Sequence, residues 1–305
     1  MLTANDYYRA RFGGKVYRIS LNGGMSCPNR DGTLDTRGCI FCSRGGSGDF
    51  AASAALSVTE QLSQAKQKIA SKLPKNKESF AGYLAYFQAF TNTYAPLPYL
   101  KRIFEEAIAD PEVVGLSIAT RPDCLPQECI NLLASLNERK PVYVELGLQT
   151  IHETSAAFIR RGYSLPVYDD AVRRLQAANI PVITHIILGL PKETPENMLA
   201  TVQHVVNAGI HGIKLQLLHI LDDTDLADYY RTAPASEFAC MSMDSYFDVL
   251  TGILPLIPED TVIYRLTGDG PKRTLLAPLW SADKKKVLNT LHKRLERSFP
   301  CNPKC

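Results

Sequence analysis

Residues 21–42 read Leu21-Asn-Gly-Gly-Met-Ser-Cys27-Pro-Asn-Arg-Asp-Gly-Thr-Leu-Asp-Thr-Arg-Gly-Cys39-Ile-Phe-Cys42, three cysteines spaced C-x11-C-x2-C in one glycine-bracketed segment. The apolar run Val16 to Leu21 ahead of it reads as a first strand, so the segment is a loop leaving a strand end. Three thiolates gathered in one loop are costly to hold together unless a metal neutralises them. The number of cysteines is informative. A structural zinc site is closed by four protein ligands, and no histidine lies in or near this loop. A [4Fe–4S] cluster held by three cysteines leaves one iron open for a small molecule. The competing readings are a zinc knuckle completed from elsewhere, or three unrelated thiols. Gly23, Gly24 and Gly38 would let the backbone bend around a cluster, and Phe41 would shield it from water.

Working outward, strand-like runs alternate with amphipathic helices. Val58, Leu62, Ala65 and Ile69 fall on one helical face of residues 58–69. Strands are expected at 83–87, 113–119, 141–148, 181–188 and 212–219. Helices are expected at 99–109, 126–137, between 149 and 178, and from Pro195, with Thr194 as N-cap. A helix near 242–256, a strand at 261–266 and a basic helix near 283–297 complete the pattern. About six β/α units in series predict an α/β fold: a parallel sheet with right-handed crossovers, closed as a full barrel or open as a partial one, with a C-terminal extension. The expected division is a core over residues 1–235 and an α/β extension over 236–305 packed on it. Functional loops of such a fold lie at the C-terminal ends of its strands, where the cysteine loop leaves.

The chain has 305 residues, 45% hydrophobic and 21% charged, enough to bury a sizeable core. Its net charge of +3 permits nucleic-acid binding through a local patch without requiring it. The N-terminus lacks an apolar signal region and no run approaches the ~18 apolar residues of a membrane span. We therefore expect a cytoplasmic location, no membrane partner, and metal or redox use of the eight cysteines rather than a disulfide framework. Cys124 and Cys129 read as ordinary thiols. Cys301 and Cys305 form a C-x3-C tail.

An aromatic before the last cysteine, in a loop after the first strand of a β/α series, resembles the radical S-adenosylmethionine (SAM) superfamily. The long first gap resembles the branch containing the catalytic subunit of Elongator. The whole chain resembles the YhcC/YtqA-like family within that branch, through Tyr86-Phe-Gln-Ala-Phe-Thr-Asn-Thr-Tyr-Ala-Pro96, Ile118-Ala-Thr-Arg-Pro-Asp123, Val144-Glu-Leu-Gly-Leu-Gln149, Arg160-Arg-Gly162 and His185-Ile-Ile-Leu-Gly-Leu-Pro191. The resemblance implies a radical SAM enzyme whose cofactors are a [4Fe–4S] cluster on Cys27, Cys39 and Cys42, and SAM. Reductive cleavage of SAM would give a 5′-deoxyadenosyl radical.

The same resemblance implies SAM contacts at strand ends. Gln88 stands where relatives carry a Gly-Gly-Glu segment. Thr120 follows Ala119, which occupies the place of a usual ribose-binding acid. Gln149 would contact the ribose or amino-acid portion and Arg161 the carboxylate. His185 stands where relatives carry a polar ribose-binding residue, its other reading being a satisfied core histidine; Gly189 would allow close approach of adenine, and His219 would touch the adenosyl group or the substrate. Arg265 and Asp269, in a polar loop after the last strand, are candidate catalytic residues facing substrate. By resemblance the substrate is tRNA, the step converting a 5-carboxymethylaminomethyl group on wobble uridine to 5-aminomethyl, with an external one-electron reductant such as flavodoxin or ferredoxin. The alternatives are a radical SAM enzyme acting on a small metabolite or another RNA position, and a zinc-stabilised RNA-binding module without catalysis. Two sequence patches suit phosphate or base contact without deciding the question. One is Tyr7, Tyr8, Arg9, Arg11 and Phe12. The other is the run of lysines and arginines from Lys284 to Arg297.

Overall fold

A computed structural model describes residues 1–46, 48, 51–74, 76, 79–268, 270 and 272–298. Its strands are β1 (Leu2–Thr3), β2 (Lys15–Leu21), β3 (Phe80–Phe87), β4 (Val113–Thr120), β5 (Val142–Gln149), β6 (Val182–Leu188), β7 (Gly212–Leu217), β8 (Ile220–Leu221), β9 (Val262–Arg265) and β10 (Leu275–Ala277). Eight of them form one parallel sheet in the order β1-β9-β7-β6-β5-β4-β3-β2. This is the partial barrel: the strands from β2 to β7 lie side by side in chain order, as right-handed crossovers require. β8 and β10 pair as a separate antiparallel ribbon.

The crossover helices are α2 (Val58–Ile69), α3 (Leu97–Ala109), α4 (Gln127–Asn137), α5 (Glu153–Phe158), α6 (Leu165–Ala177) and α7 (Pro195–Asn207). Ser57 and Thr194 close capping boxes at the starts of α2 and α7, each satisfying backbone donors that a helix start would leave bare. The later helices are α8 (Asp225–Thr232), α9 (Met243–Ile253) and α10 (Lys284–Ser298). The segment between 149 and 178, expected as helical material, forms the two helices α5 and α6 on either side of Gly162, whose φ is +82°. No described helix is long and apolar enough to cross a membrane.

The sheet buries both faces, and alternation sorts them. Ile19, Leu21, Ala85, Phe87, Leu116, Ile118, Val144, Leu146, Ile186, Leu188 and Leu215 point outward into one core shared with the helices. The other face lines the barrel. Its floor is apolar: Leu84, Tyr143 and Ile183 pack with Tyr8.

That floor is sealed by a helix the sequence reading missed. The helix α1 (Ala4–Phe12) begins on the Thr3 cap and ends at Gly13, which has φ +76°. Tyr7 donates to or accepts from the Tyr143 hydroxyl at 3.1 Å and packs on His211 at 4.7 Å between ring centroids. Tyr8 lies edge-on to Tyr143 and Tyr264. Arg9 and Arg11 are exposed, but Tyr7, Tyr8 and Phe12 are core residues rather than an RNA-stacking surface. The basic helix α10 is similarly divided. Val287, Leu291 and Leu295 are buried, Arg294 pairs with Asp244 and Asp248 of α9, and Lys285, Lys286, Lys293 and Arg297 are exposed.

Replacing Tyr8 by alanine should therefore lower stability by about 3 kcal/mol, within the range for deleting a buried aromatic. Urea unfolding of the two proteins checks this; an unchanged midpoint would mean that α1 does not seal the barrel.

Candidate active site

One cavity opens at the C-terminal ends of the strands. Cys27, Cys39 and Cys42 line it together with Phe41, Gln88, Thr120, Gln149, Arg161, His185 and Arg265. The tertiary fold thus brings the expected thiols and most of the expected strand-end residues to one place. Gly189 and His219 are not in its lining. Gly189 turns at φ +89° against Met241, and His219 packs beside Gly268 and Gly270. Asp269, Cys301 and Cys305 lie outside the described residues.

The cysteine loop is shaped by contacts that the spacing alone did not reveal. Arg30 donates to the carbonyls of Cys42 (2.8 Å) and Ser43 (2.7 Å), drawing the loop's two ends together. Gly38 (φ +79°) donates its N–H to the Asn29 carbonyl at 2.6 Å, and a Cβ there would come 2.8 Å from Arg30 Nε. Only glycine suits that crossing. The buried Asn29 amide donates to the Arg160 carbonyl (2.7 Å) and to Cys39 Sγ (3.5 Å). The Arg121 guanidinium, held by Asp123 at 2.7 and 2.9 Å, lies near enough to Cys27 and Cys39 to feel their charge.

Burial, and next to it the neighbouring Cys42, push the Cys39 thiol up to about 12. A cationic metal centre would reverse that balance, taking thiolates and releasing protons. Three thiols line one cavity wall, with the Asn29 amide and the Arg121 guanidinium beside them. A four-iron cluster would meet each thiolate on a different iron and find those neighbours for its charge, so the donor set fits it. Cys124 and Cys129 are buried elsewhere as free thiols.

Backbone strain collects around the same cavity. Phe90 (φ 60°), Gln149 (φ 68°) and Arg160 (φ 57°) are non-glycine residues in left-handed conformation, each held there at a cost of order 1–3 kcal/mol. At Gln149 the β5–β6 register shifts, and its amide lies 2.6 Å from where a Gly147 Cβ would be. A side chain at residue 147 would displace that amide.

Arg161 reaches the cavity wall with each of its guanidinium nitrogens already bonded once. It is 1% exposed, and it donates to the carbonyls of Thr150 (2.6 Å) and Tyr163 (2.8 Å) and to Glu153 (3.1 Å). The guanidinium thus also fixes the turn after β5, and so the position of Gln149, beside the cavity where a carboxylate clamp is expected from sequence. Thr120 is likewise engaged, its hydroxyl 2.5 Å from that of Thr93. Gln88 accepts from Ser20 at 2.9 Å.

Below the rim, the barrel carries a charged layer. Glu145 is buried on β5, and its carboxylate takes Ser117 (2.5 Å, β4), His185 (2.7 Å, β6), Arg18 (3.3 Å, β2) and Lys214 (β7). Arg18 and Lys214 also lie over the Tyr86 ring at 4.5 and 4.8 Å. Gln216 links His185 (3.4 Å) to Arg265 (3.1 Å). Of these, sequence reading identified only His185 and Arg265. The signal for the rest was present: on strands that otherwise alternate toward an apolar core, Arg18, Tyr86, Ser117, Glu145, His185 and Lys214 all occupy the inward parity.

Comparison with known proteins accords with this geometry. Residues 36–205 match the family described as the Radical SAM superfamily and residues 210–297 the Radical_SAM C-terminal domain. The chain is 43% identical over 294 residues to YtqA of Bacillus subtilis, covering 96% of this chain and 89% of that protein. It is 34% identical over 271 residues to YhcC of Escherichia coli K12, covering 88% and 84%. The solved structure of an N-terminally deleted Elp3 from the archaeon Methanocaldococcus infernus superposes with a TM-score of 0.68 at 15% identity. The match covers 93% of this chain and 63% of that one, a likeness of fold.

The buried histidines set a pH dependence. Burial, then Lys214, lower His185 to about 4; burial, then Arg11, do the same to His211, which bonds the Tyr264 hydroxyl at 3.0 Å. The unfolded chain takes up these protons near pH 6.5 while the folded chain refuses them until about 4, so stability is lost as pH falls across that interval, at about 1.4 kcal/mol per unit of displacement. Urea unfolding of cluster-free protein from pH 7 to 4 should show this fall. His211→Gln should make it shallower; an unchanged slope would show that His211 is charged in the folded state.

Proposed function

The chain belongs to the radical SAM superfamily, and on that premise we propose that it is a tRNA-modifying enzyme whose cluster rests on Cys27, Cys39 and Cys42. Enzymes of this family use a [4Fe–4S] cluster and SAM. Bound together, that pair supplies reductive cleavage of the SAM sulfonium and a 5′-deoxyadenosyl radical for hydrogen abstraction. The observation that carries the assignment is the meeting of three thiols with Gln88 and Gln149 in one cavity at the strand ends.

The protein's part is placement and exclusion. Asn29 bonds the Cys39 sulfur and Arg121 offsets the charge gathered near the thiols. Phe41 and Phe90 on the cavity wall keep water from the thiols. Gln88 and Gln149 offer amides to the amino group or ribose of SAM, and Gly147 leaves room for the Gln149 amide. Arg161 acts through the turn it holds. Arg265 faces the substrate from β9.

For the substrate we favour tRNA, with conversion of the 5-carboxymethylaminomethyl group of wobble uridine to 5-aminomethyl. Support comes from the resemblance to the YhcC/YtqA-like family and from the fold shared with Elp3. Exposed Arg9, Arg11, Lys285, Lys286, Lys293 and Arg297 offer phosphate contacts. The electron would come from a separate reductant of the flavodoxin or ferredoxin class, in the cytoplasm.

Nucleoside analysis of tRNA from a deletion strain should show 5-carboxymethylaminomethyluridine accumulating at the wobble position. The wild-type gene should restore the profile, and a variant with all three loop cysteines replaced by alanine should not. An unchanged profile on deletion would overturn the tRNA assignment. The purified wild type should bind about four irons; full SAM cleavage by the triple variant would overturn the cluster assignment.

Asn29→Ala tests the thiol neighbourhood separately. Loss of a hydrogen bond to a ligating sulfur leaves the added electron less stabilised. The cluster potential should fall while iron content is retained, as read by redox titration; an unmoved potential would separate Asn29 from the cluster.

A further inference from the structure

The charged layer inside the barrel does not balance. Glu145 receives Arg18 and Lys214 together, so its single negative charge is met twice. Arg265 adds a third cationic side chain at the same level. It is exposed toward the cavity, which Lys214, Glu145, Gln216 and His185 also line. Among the described residues it donates to the neutral Gln216 at 3.1 Å, and no carboxylate pairs with it. The surplus survives either state of Lys214, which burial and then Arg18 push well below its usual range. With Lys214 neutral, two arginines still face one carboxylate. His185, held low, adds no negative charge. Arg265 therefore keeps a guanidinium available to an anion that enters the cavity.

We propose that Arg265 and Lys214, with Gln216 between them and the His185 ring, form a subsite that binds a carboxylate carried by the substrate. The planar fork of Arg265 suits a carboxylate in two-point contact, and the Lys214 amine, charged or neutral, offers a donor beside it. Tyr86 fixes the layer from the opposite strand, its ring covered by Arg18 and Lys214. The subsite lies inside the barrel, so it takes the reactive end of a substrate and not an RNA backbone. Glu145 is the positioning residue: it holds Lys214 and His185 in place and leaves Arg265 for the ligand.

The inference rests on the radical SAM reading of the cavity but not on tRNA as substrate, and the test keeps these apart. The protein is used with its cluster reconstituted. The first probe is acetate against acetamide, observed by ligand NMR. Acetate should bind at least tenfold more tightly, and Arg265→Gln should abolish the preference, as expected for loss of a charge-assisted contact. Equal binding of the two, or a preference that survives in Arg265→Gln, would overturn the subsite.

The second probe is 5-carboxymethylaminomethyluridine against its carboxamide. Preference for the acid, lost in the variant, supports the subsite and the tRNA reading together. A nucleoside that does not bind, alongside acetate that does, supports the subsite, and the tRNA reading then stands or falls with the deletion-strain profile. A third arm addresses the carboxylate of SAM itself. SAM affinity within about twofold of wild type in Arg265→Gln, at equal iron content, assigns the subsite to the substrate. A tenfold loss would hand it to SAM and overturn the proposal.

Discussion

Glu145 is the group around which the barrel interior is organised. Its carboxylate is buried and is reached from four other strands, by Arg18, Ser117, His185 and Lys214. Removing a carboxylate from water is tolerable only when its lone pairs are filled and its charge is met. Here both conditions are satisfied, and opposing charges hold the carboxyl well below its usual range despite burial. Taking away one member of such a buried set costs on the order of 3–5 kcal/mol, because it strands the rest. The network need not add stability over an apolar core of the same shape. It fixes which side chains face the cavity and at what height.

The layers above and below follow from the same inward parity. Beneath the charges, Leu84, Tyr143 and Ile183 close on the aromatic face of α1. The sheet runs from β1 at one edge to β2 at the other, and α1 connects those two edges. It can therefore lie under the barrel and block water from that end. Above the charges, side chains become small or amide-bearing, as at Ala119, Gly147, Gln88 and Gln216, and the cavity opens toward the thiols. An apolar stopper, a charged belt and a polar rim are thus set along one axis by strand residues two apart.

The rim itself is held by constraints of a different kind. Phe90, Gln149 and Arg160 sit in left-handed backbone, and Gly38 and Gly162 leave space for Arg30 and Asn29. Asn29 joins the cysteine loop to the Arg160-Arg161 turn, and Arg161 joins that turn to the end of β5. Thiols and strand-end amides are consequently parts of one braced rim. This is the arrangement that a cluster and a small molecule sharing one iron would require.

The sequence by itself determined the alternation of strands and helices, their approximate bounds, the parallel barrel and the trio of thiols. Each of these is local. Strand and helix periods repeat within a dozen residues, a capping box spans four, and C-x2-C is a single turn. The resemblance pointed to Gln88 and Gln149, which the fold puts at the rim because strand ends converge there, and to His185, which it puts in the charged layer below. What only the tertiary structure decided is who pairs with whom. Arg161 had the right chemistry for a ligand clamp, yet the carbonyls that claim it become visible only when β5 and the turn after it are folded together. Tyr7 and Tyr8 had the composition of a nucleic-acid patch, but a tyrosine 136 residues away, Tyr143, is where Tyr7 docks. Glu145, Arg18 and Lys214 read as ordinary strand residues until the sheet curls and brings their charges within bonding distance. Partner choice across such separations depends on the whole sheet's curvature, which no stretch of sequence contains.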